Sequence, residues 1–258
     1  MILEENICDL AIFSIWQRCG STLLLRMANT RDKSLVWGEI SRWPQHFANL
    51  LRGSVRFSKA SEGVREVMLT NRPDLNSTHM NYLPNFSPDE PVCRKAIIEA
   101  MRSYFKVFRY PGFDLVGFKE VMLDGRAIKL CREAFPDTPF ILLVRNPLKI
   151  WRSLPYKWIE NSGYTANEFI EKWNSAYLEY AETARHDPNC YLIYYEDVIE
   201  KDETTLATLA DLMHLSIEDL MGVLEIRTKS TSKLKDAADE QVIVSKIQCE
   251  TYTKERAR

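Results

Sequence analysis

The feature that most restricts this chain is an almost unbroken apolar run, Ile7 to Ile15, which passes without a spacer into Trp16-Gln17-Arg18-Cys19-Gly20-Ser21-Thr22. A strand apolar on both faces must be covered on both, and a parallel sheet flanked by helices does this. Leu23, Leu24, Leu25 and Met27 then supply the apolar face of a helix that ends near Asn29. Strand, tight turn and helix follow one another with nothing between them.

The same order recurs along the chain. Ser34 to Glu39 reads as a second strand, with Glu39 at its end, and a helix should follow through His46 and Leu51. Further strands are predicted at Leu115 to Val121, at Phe140 to Val144 and at Tyr191 to Tyr195. Helices are predicted near 92–108, 125–135, 166–185, 204–213 and 217–224, with another after Pro147. Alternation of this kind implies an α/β domain of three layers, a central mainly parallel sheet with helices on both faces. One domain over residues 1–258 is expected, because no shift in composition marks a linker. The stretch 52–91 is the least regular, punctuated by prolines and asparagines, with Val67-Met68-Leu69 its only strand-like trio. It reads as a loop-rich excursion over the functional face.

Composition excludes several classes. With 258 residues, 45% of them apolar, the chain can bury a sizeable core and is not a disordered segment. A formal net charge of −2 leaves no general attraction for nucleic acid, so any anion site must be local. Six cysteines are scattered with no CxxC pair and no histidine at zinc-binding spacing, which points to reduced thiols, no structural metal and a cytoplasmic setting. The N-terminal segment has no basic region ahead of its apolar run, and that run is too short to span a membrane.

Two segments carry the chemistry. In the first, Arg18-Cys19-Gly20-Ser21-Thr22 places unpaired helix amides, the positive end of a helix dipole and two hydroxyls at the end of a buried strand. Gly20 lets a ligand approach closely, and Arg18 adds a planar fork suited to phosphate or sulfate oxygens. This is not the nucleoside-triphosphatase loop, because Ser21 follows Gly20 where that pattern requires lysine. In the second, the strand Phe140 to Val144 delivers Arg145 to its carboxyl end, Pro147 starts a helix, and Ser153 follows on it. An arginine and a hydroxyl are thereby available to one phosphate.

The two segments resemble those of the sulfotransferases that use 3′-phosphoadenosine 5′-phosphosulfate (PAPS). Residues 16–24 are similar to that family's 5′-phosphosulfate loop, and Arg145 with Ser153, eight positions later, is similar to its 3′-phosphate motif. Tyr191 to Val198 is similar to a third family segment, a strand running into Tyr-Glu-Asp. Arg18, where the cytosolic small-molecule branch has lysine, makes the chain closer to the carbohydrate, tyrosyl-protein and bacterial branches. Cys19 stands where Ser or Thr is commoner.

The resemblance implies a P-loop-like fold and transfer of a sulfuryl group to a hydroxyl or amine of a small-molecule, carbohydrate or peptide acceptor. PAPS would be the donor, adenosine 3′,5′-bisphosphate the product, and no metal would be needed. It assigns the backbone around Cys19, Gly20, Ser21 and Thr22 to the 5′-phosphate, Arg18 to the phosphosulfate, and Arg145 and Ser153 to the 3′-phosphate. Lys119 is similar to a lysine that stabilises the bridging oxygen, and Lys229 and Ser230 lie in a stretch that covers the 3′-phosphate in relatives. Glu39, at the carboxyl edge and about the right distance beyond the first loop, is the favoured general base; Glu120, His46 and His79 are the alternatives. A non-catalytic module that binds the bisphosphate, and a small-molecule kinase with an altered loop, remain as competing readings. Trp151, Trp158 and Trp173 sit at helical positions expected to face the core rather than a nucleotide base.

Overall fold

The computed structural model describes residues 7–70, 86–226 and 236–247. In chain order the elements are β1 (Leu10–Ser14), α1 (Ser21–Ala28), β2 (Ser34–Trp37), α2 (Trp43–Ala60), α3 (Glu62–Thr70), α4 (Glu90–Lys106), β3 (Leu115–Val121) and α5 (Gly125–Ala134). They continue with β4 (Phe140–Val144), α6 (Pro147–Ser153), α7 (Tyr156–Ser162), α8 (Ala166–His186), β5 (Cys190–Tyr194), α9 (Tyr195–Glu200), α10 (Glu203–Met213), α11 (Ile217–Glu225) and α12 (Ala237–Lys246).

The five strands form one sheet in the order β2-β3-β1-β4-β5, every pairing parallel. Every residue of β1, β3 and β4 is buried, as continuous apolar runs in a doubly covered sheet must be. Gly117 on β3 pairs with Leu10 on β1, and a Cβ there would lie 2.2 Å from the Leu10 carbonyl oxygen, so only glycine allows these strands to meet.

Helices cover both faces. The α1 helix packs on β1, β2 and α11, whereas α2, α4 and α5 pack on one another and α8 lies against β4, β5 and α5. The chain leaves β1 toward β2 on one side of the sheet and leaves β4 toward β5 in the opposite direction. Right-handed crossovers therefore put the two connections on opposite faces and open a crevice between the carboxyl ends of β1 and β4. Among the described residues, no helix is long and apolar enough to cross a membrane.

The strands and most helices lie within a few residues of where the sequence puts them, but within the stretch 52–91, of which 71–85 lie outside the described residues, residues 52–70 do not. Residues 52–60 and 62–70 are helical, and Val67-Met68-Leu69 lies inside α3 rather than in a strand. Gly53 and Ser54 weaken helix propensity there, yet Ala48, Leu51, Val55 and Ser58 repeat at helical spacing and turn inward, α2 packing against α4 and α5. Tertiary burial overrides local preference. The α3 helix buries no side chain of its own and is held by Arg65, which donates to the Ser58 hydroxyl at 2.9 Å and the Ser87 carbonyl at 3.0 Å. The second strand also stops earlier than predicted, at Trp37, which leaves Glu39 in the connection to α2. Trp151 and Trp173 are in the core as expected.

Candidate active site

The first motif is shaped by its backbone. The Ser14 hydroxyl donates to the Trp16 carbonyl at 2.8 Å, and the buried Trp16 ring packs edge-on against Phe169, fixing where the chain leaves β1. Arg18 at φ 66° and Gly20 at φ 93° then turn it into α1. No side chain caps this helix, so its first amides remain directed outward, the arrangement that binds anions. Gly20 is required twice over: its φ is left-handed, and an added Cβ would lie 2.2 Å from the Tyr195 ring. The Cys19 side chain is fully buried, and burial pushes its thiol up to about 12. Only the backbone of Cys19 is left for a ligand.

The second motif works differently. Asn146 caps α6 with its own side chain, accepting from the amides of Leu148 and Lys149 at 2.9 and 3.2 Å, while its amide donates to the buried Glu196 carboxylate. The helix terminus is already satisfied, which leaves Arg145 as the group of this motif that could meet an anion. Its guanidinium lies 4.4 Å from the centre of the Tyr195 ring, and its Nη1 donates to the Arg18 carbonyl at 2.6 Å. Arg145 Nε is buried with no hydrogen-bond partner. Arg18 in turn donates from Nε to the Ser153 carbonyl at 3.2 Å, and the Ser153 hydroxyl donates to the Ile150 carbonyl at 2.8 Å. Arg18, Arg145 and Ser153 thus meet in one crevice, although Ser153 faces it with a hydroxyl already engaged.

Beside them, on the connection after β2 and at the end of β3, Glu39 and Lys119 form an ion pair. Lys119 Nζ lies 2.5 Å from Glu39 Oε1, the lysine side chain 4% exposed and the glutamate 49%. One partner is thus fixed in protein and the other opens to a cleft. That cleft, of about 540 Å³, is lined by Gln17, Glu39, Ser41, Arg42, Val121 and Met122. Glu120 does not line it. Its carboxyl is fully buried, Oε1 accepting from the Ile40 amide at 2.9 Å, and burial pushes its pKa up to about 7 against the pull of the Ile40 and Arg42 amides. The His46 ring is bonded to the Ser41 carbonyl at 2.9 Å on the exposed side of α2. His79, Lys229 and Ser230 lie outside the described residues.

Several contributors have no sequence signal of their own. Ser41, Arg42 and Met122 all adopt φ between 53° and 56°, and with Arg18 they gather left-handed backbone around this cleft. Arg42 donates to the Met122 carbonyl, and Gln45 and Asp124 exchange hydrogen bonds of 2.9 and 3.0 Å between the same two connections. Tyr195 is different: it belongs to the Tyr-Glu-Asp segment, whose packing over Gly20 and Arg145 gives that segment a physical place in the site. Chemically, the crevice offers uncapped amides at the start of α1 and, across the Tyr195 ring, an arginine with an unused donor, a set of groups that can meet anionic oxygens. A carboxylate opens onto the adjoining cleft.

A family model described as "Sulfotransferase family" matches residues 16–219. Among solved structures, the sulfotransferase domain from the curacin biosynthetic pathway is similar at 15% identity and a TM-score of 0.49, covering 90% of this chain and 82% of that one. The sulfotransferase domain from the Synechococcus olefin synthase is similar at 12% identity and a TM-score of 0.44, covering 90% and 82%. A sulfotransferase from Alicyclobacillus acidocaldarius is similar at 12% identity and a TM-score of 0.42, covering 92% and 94%. No curated protein sequence matches.

Proposed function

This chain belongs to the sulfotransferase family, and we propose that it transfers a sulfuryl group from PAPS to a hydroxyl or amine acceptor, with Glu39 as the base that receives the acceptor's proton. The observation that carries the reading is the interlock of Arg145 with Arg18 and of Arg18 with Ser153, beside the uncapped start of α1. Two anion motifs that are remote in sequence share one crevice. PAPS supplies the sulfuryl group and leaves as adenosine 3′,5′-bisphosphate.

In this reading the amides of Gly20, Ser21 and Thr22 and the Arg18 guanidinium hold the 5′ end, and Arg145 holds the 3′-phosphate through the donors its own packing leaves unused. Charge-assisted, planar contacts of that type favour a bisphosphate over a monophosphate. Lys119 orients Glu39 through their ion pair and sets positive charge at the reacting edge. The acceptor enters the cleft lined by Gln17, Ser41 and Arg42, with its O–H or N–H toward Glu39. As the new sulfur–oxygen or sulfur–nitrogen bond forms and the bond to the departing phosphate breaks, the proton passes to the glutamate. Gln17, Glu39, Ser41 and Arg42 line the cleft together with Val121 and Met122, which suits a small-molecule, carbohydrate or peptide acceptor with both hydrogen-bonding and apolar groups. The residues of the proposed site act without a metal ion.

The test is transfer of radiolabelled sulfate from PAPS to a panel of phenols, sugars and tyrosyl peptides. Glu39→Gln should lower the rate about 100-fold or more while adenosine 3′,5′-bisphosphate still binds. Unchanged transfer in both Glu39→Gln and Lys119→Ala contradicts the assigned roles. Bisphosphate binding with no transfer by the wild type would make the chain a binding module, and preferential binding of ATP with magnesium would make it a kinase.

A further inference from the structure

Resting on the sulfuryl-transfer reading, we infer that Glu120 is a positioning residue: its buried carboxyl grips the backbone of the connection 38–42 and so keeps Glu39 against Lys119. Glu120 follows Lys119 directly in β3, so the two side chains leave the strand on opposite faces. Yet both reach the same short connection. Lys119 Nζ takes the Glu39 carboxylate at 2.5 Å, and Glu120 Oε1 takes the amide of the very next residue, Ile40, at 2.9 Å.

The connection needs such a grip. Its ladder to β3 ends at Trp37, and Ser41 and Arg42 follow in left-handed backbone, which non-glycine residues adopt only when their surroundings impose it. Arg42 and Gln45 are tied to Met122 and Asp124, but those ties lie beyond Ile40. Near Glu39 itself, Glu120 supplies the backbone contact.

The carboxyl is held there at a cost. Glu120 is fully buried, and apart from the nearby Arg42 amide, which lies outside good hydrogen-bond geometry, its Oε2 has no partner. The groups that act on it are Glu39 and Arg42 from the connection and Lys119 from its own strand, with the neutral Cys131 thiol of α5 also within electrostatic reach. A side chain serving only to fill space would be apolar, like its strand partner Phe13. An acceptor placed on the amide next to the base accounts for the carboxyl.

Three substitutions test this. Glu120→Gln keeps an acceptor for Ile40, Glu120→Leu removes it, and Glu120→Asp keeps the charge but withdraws it by one methylene. Amide exchange at Ile40, followed by NMR, needs neither donor nor acceptor. Slow transfer to water, read as sulfate released from radiolabelled PAPS, reports the reaction without requiring the natural acceptor, and calorimetry with adenosine 3′,5′-bisphosphate reports the donor crevice. In the Leu and Asp variants Ile40 should exchange at least about tenfold faster and kcat should fall by about 100-fold, the cost of slight misplacement, with bisphosphate affinity within about threefold of wild type. Glu120→Gln should recover most of both losses.

Unchanged Ile40 exchange in the Leu and Asp variants overturns the inference. So does a Gln variant as impaired as Leu, or a loss of bisphosphate binding that parallels the loss of rate. Should Leu fail to fold, the Asp and Gln pair decides. Failure of the wild type to bind bisphosphate or release sulfate would instead count against the sulfuryl-transfer reading, and Ile40 exchange would still report the grip.

Discussion

A carboxyl group enclosed beside the sheet makes the stability of the whole fold depend on pH. The Glu120 pKa rises from 4.5 to about 7, first because burial disfavours the charged form and further because Glu39 lies near, with the Ile40 and Arg42 amides and Lys119 opposing. A raised carboxyl pKa stabilises the native state fully below 4.5, where both states are protonated, and that contribution is lost as pH rises through 7. The loss amounts to at most about 3 kcal/mol. Glu120→Gln does not titrate, so urea denaturation should show it gaining on the wild type between pH 4.5 and above 7, and levelling off beyond. A difference that does not change with pH would show that Glu120 keeps an ordinary pKa in the folded protein. At this scale the sequence was informative about residue types but not about their partners. Arg18, Gly20 and Arg145 are recognisable because strand ends and glycine turns announce anion sites. The union of Arg18 with Ser153, the packing of Tyr195 over Gly20 and the burial of Glu120 depend on side-chain directions that spacing does not encode.

Elements explain why the two motifs, alike on paper, work by different means. The α1 helix starts without a side-chain cap, whereas α6 is closed by Asn146, so in the proposed reading the first motif binds through amides and the second through Arg145. Asn146→Ala removes an acceptor from two amides and should cost about 1 kcal/mol in chemical denaturation. Because Asn146 also joins α6 to Glu196, bisphosphate affinity should fall with it; unchanged stability would mean that water caps the helix equally well. Legibility varies among the elements for physical reasons. The strands β1, β3 and β4 are buried on every residue, so their apolar runs are unambiguous. The second half of α2 and all of α3 were not legible, because Gly53, Ser54 and the scattered prolines beyond them resemble loop composition while the inward face of α2 becomes apparent only against α4 and α5. The short α7 and α9 and the late α12 were missed too. The first two are only 7 and 6 residues long, and α12 buries only Ile243.

At the scale of the molecule, a chain of net charge −2 gathers Arg18 and Arg145 where topology provides a crevice. The strand order β2-β3-β1-β4-β5 puts the β1 and β4 ends side by side, and β3 carries Lys119 to the same edge as Glu39. The crevice between β1 and β4 and the cleft beside Glu39 are therefore adjacent by construction of the sheet, and both depend on connections rather than on strands. In the proposed reading, Arg145 holds a second phosphate which ordinary adenylates lack. Calorimetry of wild type and Arg145→Ala with adenosine 3′,5′-bisphosphate and with adenosine 5′-monophosphate tests it most directly. The substitution should weaken the bisphosphate by about 2–4 kcal/mol and leave the monophosphate nearly unchanged. Equal weakening of both ligands would show that Arg145 does not hold the 3′-phosphate.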